Sequence, residues 1–192
     1  EGTNEINRML IVATLLKRSI KNDINLFKKA MKVINEEKIN TVVYSNENHF
    51  KSSYDLVKAL KDCFLYIFGK AAMHFNDKIK SEQEIMMNIA DVIISIYVLE
   101  STLKRCEKIF KNTQNTIMLD ISKSSIYTNL STIKHHSIES VISYMNKNDA
   151  NKSIEFINRC VEFENFNIKE TNRNIANYFL EKKSYGLFNN FS

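Results

Sequence analysis

This sequence predicts an all-α fold: an antiparallel helical bundle with a short helical lead-in. Three observations carry the prediction. The 192 residues include no proline and only three glycines, so long helices meet few breakers. Large apolar residues recur at i, i+3, i+4 and i+7 in one segment after another, the period of a helix with one buried face. Apolar residues make up 44% of the chain, which excludes wholesale disorder and is enough, at this length, for one domain with its own core.

The first helix is expected over Asn4–Lys21, with Thr3 as its cap. Ile6, Met9, Leu10, Ala13, Leu16 and Ile20 make its apolar stripe, and Arg8, Lys17 and Lys21 flank it. Asn22-Asp23 is a stop and restart before a second helix over Ile24–Glu36. Lys38–Ser53 has no clean period and is rich in Asn and Ser. It reads as a linker, and Thr41–Tyr44 could form a short extended piece within it.

The bundle proper is expected to start near Ser53. Leu56, Leu60, Phe64, Ile67, Phe68, Ala71 and Phe75 recur at helical spacing up to about Lys80. Gly69 lies inside that helix at a cost of about 1 kcal/mol against Ala, which points to a close helix crossing. The aromatic run Phe64, Tyr66 and Phe68 reads as core. Ser81-Glu82-Gln83-Glu84 has the capping-box pattern and should open a helix running to about Lys111. Ile85, Ile89, Val92, Ile93, Ile96, Leu99, Leu103, Cys106 and Phe110 form its buried stripe, and each large side chain buried there is worth roughly 1.5–3 kcal/mol. A helix over Asn115–Met145 follows, with Ser122–Ser125 as a place where it could break. Shorter helices are expected over Ala150–Val161 and Lys169–Ser184, and Gly186 ends regular structure.

Composition narrows the functions. The net charge is +5, but Lys is spread along every segment, with no Arg cluster and no glycine-aromatic ribonucleoprotein motif, so nucleic-acid binding is not expected. No apolar run approaches membrane-spanning length and no signal peptide is visible; the expected location is the bacterial cytoplasm. Cys63, Cys106 and Cys160 are odd in number and far apart, which reads as reduced, mostly buried thiols. No metal site is expected. His135 and His136 point about 100° apart on a helix. The carboxylates of Glu82–Glu84, Asp91 and Glu100 lack the Glu-x-x-His motif of a di-iron bundle. Ile168–Phe188 could lie on a membrane surface, although its mixed charge signs favour packing on the bundle.

The chemistry is concentrated at the start of the chain. In Glu1-Gly2-Thr3-Asn4-Glu5-Ile6-Asn7-Arg8 a carboxylate stands one glycine ahead of a threonine-capped helix. The glycine allows close approach of a ligand, and the unpaired N–H groups of the first turn suit an anionic one. On local physics alone this is most simply a helix start. The wording itself, however, resembles the catalytic-glutamate motif of the acyl-CoA dehydrogenases. Glu82–Asp91 continuing to Ile96–Arg105 is similar to the long helix in the extra C-terminal domain of the very-long-chain branch, and Phe166–Thr171 with Asn174–Ala176 resembles the closing helix of that extension.

The resemblance implies an FAD-dependent α,β-dehydrogenation of fatty acyl-CoA. Glu1 would be the base that removes the pro-R α-proton, Gly2 would lie against the substrate, and Thr3, Asn4 and Glu5 would line the flavin. The product would be a trans-2-enoyl thioester, with electron-transferring flavoprotein as acceptor. A homodimer and peripheral membrane contact are also implied. Residues 1–37 would then be the last helices of the catalytic core, 38–53 a linker and 54–192 the appended bundle. The family's flavin- and acyl-binding regions lie upstream of the glutamate, so the chain reads as the C-terminal piece of a longer polypeptide and is expected to be inactive alone. An ammonium group on Glu1 itself would push its carboxyl away from the working range of a base. The competing expectation is a helical interaction or dimerisation module, or a remnant without catalysis. An uncovered apolar face on Asn4–Lys21 would favour a missing partner domain, and a helix folded back on the bundle a self-contained module.

Overall fold

The computed structural model describes residues 3–37 and 49–183. These form seven α-helices: α1 (Asn4–Ile20), α2 (Leu26–Glu36), α3 (His49–Phe75), α4 (Gln83–Thr113), α5 (Ile117–Ile142), α6 (Lys147–Cys160) and α7 (Ile168–Lys182), with a 3-10 segment at Asn76–Ser81. The all-α expectation holds. The expected extended piece at Thr41–Tyr44 and the stop at Gly186 lie outside the described residues.

α4 is the spine. It packs against α5, α3 and α1, and Ile89, Leu99, Leu103 and Ile109 are fully buried along it. α2 lies against α3, α6 against α5 and α3, and α7 against α5. Contrary to the sequence reading, α4 is long and apolar enough to cross a membrane by length and composition; half of its apolar window is buried inside the bundle, as in the core helix of a soluble protein. The Phe64–Tyr66–Phe68 run is core: Phe27, Phe68 and Phe64 stack in series, and Tyr66 stacks on Phe156 at 4.2 Å between ring centres.

Gly69 does what its position suggested. A Cβ placed there would meet Ala30 Cβ at 2.9 Å and Ile34 Cδ1 at 2.7 Å, so the missing side chain lets α2 lie directly on α3. All three cysteines are buried and free.

Four details differ from the sequence reading. First, α3 begins at His49, so the last five residues of the expected linker are helical. Second, the Ser81 capping box does not form. Burial of Ile79 draws residues 76–81 into a 3-10 turn that Asn76 enters at φ 48°, and Glu82 becomes the residue before α4. Third, α5 runs unbroken through Ser122–Ser125, because Ser122 is buried and bonds both the Leu119 carbonyl and His49. Fourth, α1 is turned about its axis. It buries Val12, Leu16 and Ser19, while Ile6, Leu10 and Ile20 of the expected stripe face outward.

The α7 expectation is met over Ile168–Lys182. Thr171 is buried, and Ile175 and Tyr178 pack on Ile117, Met118 and Ile109 beneath them.

Candidate functional site

The expected site residues converge on the start of α1. Thr3 is extended at φ −67°, ψ 162°, and its hydroxyl accepts from the Ile6 N–H at 3.5 Å, so the predicted cap is present. Asn4 and Glu5 occupy the first helical turn and are exposed. Glu1 and Gly2, the expected base and substrate contact, lie outside the described residues. The part of the site that is described is therefore an exposed helix end whose Ile6 N–H is capped by Thr3, with a side-chain amide and a carboxylate in its first turn. Such an end can hold an anionic or hydrogen-bonding ligand.

An ion pair ties this helix end to the bundle. One turn past the cap, Arg8 Nε donates to Asp91 Oδ1 of α4 at 2.8 Å. Asp91 Oδ2 faces His136 Nε2 of α5 at 3.7 Å. The His136 ring is held in turn by Asn88 Oδ1, 2.8 Å from Nδ1, with Glu139 Oε2 3.7 Å from the same nitrogen. The sequence reading placed Arg8 and Asp91 apart, Arg8 beside a stripe and Asp91 among carboxylates weighed for iron. The available signal was a lone acid inside the apolar run Ile85–Leu99, where an unpaired charge would be costly.

The His135–His136 pair comes closer than their spacing suggested. Both side chains lean toward Glu139, and His135, His136 and Glu139 bring their ligand atoms within 4.8 Å of one another. Asn88 already bonds His136 at Nδ1 and Asp91 stands beside Nε2, which makes this a half-exposed polar cluster. Of the other carboxylates weighed for iron, Glu100 pairs with Lys61 and Lys104, which hold it below the usual carboxylate range.

His49 Nε2 lies 2.7 Å from Ser122 Oγ, and burial pushes its pKa down to about 4, with the Lys123 charge adding to the shift. An open groove of about 520 Å³ is lined by Leu16, Ile20, Phe27, Met31, Gly69 and Met73. It lies at the far end of α1, away from Thr3–Glu5.

A seven-helix bundle with this helix end has clear relatives. The chain belongs to the acyl-CoA dehydrogenase C-terminal domain family, which matches residues 59–159, more than half of its length. A probable acyl-CoA dehydrogenase of Bacillus subtilis (strain 168) is 27% identical to it over 96% of the chain and 32% of that protein. The crystal structure of an acyl-CoA dehydrogenase complexed with FAD from Bacillus anthracis superposes with a TM-score of 0.86 at 28% identity, covering 96% of this chain and 31% of that one. The chain thus spans about a third of the length of these relatives.

Proposed function

We propose that this chain is the C-terminal part of an FAD-dependent acyl-CoA dehydrogenase, with Glu1 as the base that takes the α-proton of a fatty acyl thioester. The observation that carries the reading is the Thr3-capped, exposed start of α1, immediately after the glutamate and glycine of the motif. Family membership and the FAD-bound relative support it. The described residues fit a flavin: Asn4 and Glu5 are exposed, and the positive end of the helix dipole favours electron-rich ligand atoms.

In this reading FAD, when bound, accepts the hydride from the β-carbon. The chain's own residues do the rest. Glu1 withdraws the α-proton, and its backbone N–H polarises the thioester carbonyl. Gly2 keeps the backbone clear for the substrate, and Thr3 fixes the direction of α1. A base of this kind needs a carboxylate shielded from water, which the acyl chain and flavin would supply.

The outward stripe of α1 supports placing this chain inside a larger enzyme. Ile6 is 54% exposed and Leu10 61% exposed, one turn apart on the side away from α4. Such a face suits packing against a further part of the same enzyme, and the 192 residues alone are then inactive. The competing module reading rests on the opposite side of α1, which is folded back onto α4. Electron-transferring flavoprotein as acceptor, a homodimer, peripheral membrane contact and a cytoplasmic location belong to the proposal through family resemblance.

The intact mass of the native protein carrying these peptides tests the reading. A mass several-fold above the 22.4 kDa of this chain is expected. A mass near that value, with no flavin retained, would favour the interaction module.

A further inference from the structure

α1 could have met the bundle with either of two faces, and the one it uses is not the stripe with the most large apolar residues. At 100° per residue, the outward Ile6, Leu10 and Ile20 centre on one direction, while Met9 and Ala13 at the edge of the same stripe pack against the core. Arg8, Val12, Leu16 and Ser19 centre roughly 120° away, and it is this second set that faces α4: Val12 is fully buried and Leu16 and Ser19 nearly so. The charged member of that face is Arg8, which donates to Asp91 Oδ1 at 2.8 Å, while His136 of α5 stands 3.7 Å from Oδ2. A charge-assisted bond this short between α1 and α4 fixes the direction of the carboxylate.

We infer that Asp91 is a positioning residue: bonded by Arg8 and flanked by His136, it sets the rotation of α1 on the bundle and so aims the capped end of that helix. The effect follows from rigidity. Arg8 is five residues beyond Thr3, about 7.5 Å along the helix axis, so a helix rolled about that axis carries the chain before its cap to a different side. Misplacing a reacting group by about 1 Å can cost on the order of 100-fold in rate. His136 acts through Asp91: Asn88 places its ring, which stands beside the carboxylate with Nε2 3.7 Å from Oδ2 and limits by its bulk where the carboxylate can turn. The consequence for catalysis rests on the proposed role of Glu1; the rotational setting does not.

The chain's own thiols make the test clean, because Cys63, Cys106 and Cys160 are all buried and burial pushes Cys106 up to about 11. Single reporter thiols at Leu10→Cys, outward, and Val12→Cys, inward, are labelled with a thiol-reactive dye at neutral pH. In the 192-residue chain Leu10→Cys should react quickly and Val12→Cys slowly. Adding Asp91→Ala should raise the Val12→Cys rate about tenfold or more, as a local opening of about 1.4 kcal/mol would. The buried native thiols should stay protected. Arg8→Gln, which removes a partly exposed group, should give the same pattern and serves if Asp91→Ala fails to fold.

Unchanged labelling at both positions in both variants would overturn the inference. So would equal exposure of Val12→Cys and the native thiols, which would mean general loosening. In a polypeptide that turns over acyl-CoA, Asp91→Asn should lower kcat roughly tenfold with KM within about twofold. Changed labelling with no turnover in any form would sink the Glu1 reading and leave the positioning of α1 intact.

Discussion

Replacing Gly69 with alanine pits two effects of opposite sign against each other. In an exposed helix interior, glycine to alanine stabilises by about 1 kcal/mol. At position 69 the new methyl would lie 2.9 Å from Ala30 Cβ and 2.7 Å from Ile34 Cδ1, where carbon atoms prefer about 3.5–4.0 Å. Ile34 can turn its terminal carbon away. Ala30 cannot, because its Cβ is fixed to the backbone of α2 at a fully buried position. α2 must therefore retreat by roughly 0.6 Å or more to restore contact distance. Overpacking of this kind costs about 1–3 kcal/mol. Set against the propensity gain, the net expectation is a loss of about 1 kcal/mol, or a fall in Tm of roughly 2–4 °C for a domain of this size. Urea unfolding followed by circular dichroism, with the slope unchanged, measures it. Ile34→Val, which removes Cδ1, should cost less in the Gly69→Ala background than in the parent, since it relieves one of the two clashes. A Gly69→Ala variant more stable than the parent would refute the close-crossing argument.

Two further predictions concern the bundle. His49 is held neutral by burial with a pKa of about 4, while an unfolded histidine titrates near 6.5. The unfolded chain therefore binds the extra proton first as pH falls. Stability from this group is present above about pH 6.5 and is lost down to about pH 4, by roughly 2 kcal/mol after screening of its exposed edge. Unfolding free energies of the parent and a His49→Gln variant between pH 7 and pH 4.5 should converge if this is right, and parallel curves would contradict it. Phe156, 2% exposed and stacked on Tyr66, should cost about 3–5 kcal/mol when cut to alanine. Denaturant midpoints check this, and a loss under 1 kcal/mol would mean that α6 is peripheral to the core.

The helices were legible because little in the chain interrupts them: without proline, the apolar stripes of α3 and α4 could be read almost to their ends. Gly69 was legible for the same reason, as an uncommon small residue in an otherwise bulky helix. The face of α1 was not. Apolar residues cover two of its sides, periodicity does not say which side meets a neighbour, and the deciding contact is made with Asp91, far along the chain. The Ser81 capping box was misread because the burial of Ile79, a tertiary event, outweighed a local cap. The serines of α5 suggested a break, yet Ser122, Ser137 and Ser140 are buried between helices, where small side chains allow close packing. For the site, the sequence located the helix end and its cap. The grip of Arg8, Asp91 and His136 behind it depends on three helices meeting.

The central claim is that Glu1 is a proton-abstracting base in a flavin-dependent acyl-CoA dehydrogenase, and anaerobic flavin reduction by a saturated acyl-CoA tests it most directly. The native protein carrying this chain and its Glu1→Gln variant are mixed with substrate, and bleaching of the flavin is followed in a stopped-flow instrument. The account predicts rapid bleaching in the native protein and a rate lower by about 100- to 10,000-fold in the variant, with FAD content unchanged. Bleaching of Glu1→Gln at the native rate, or a native protein that holds no flavin, would contradict it.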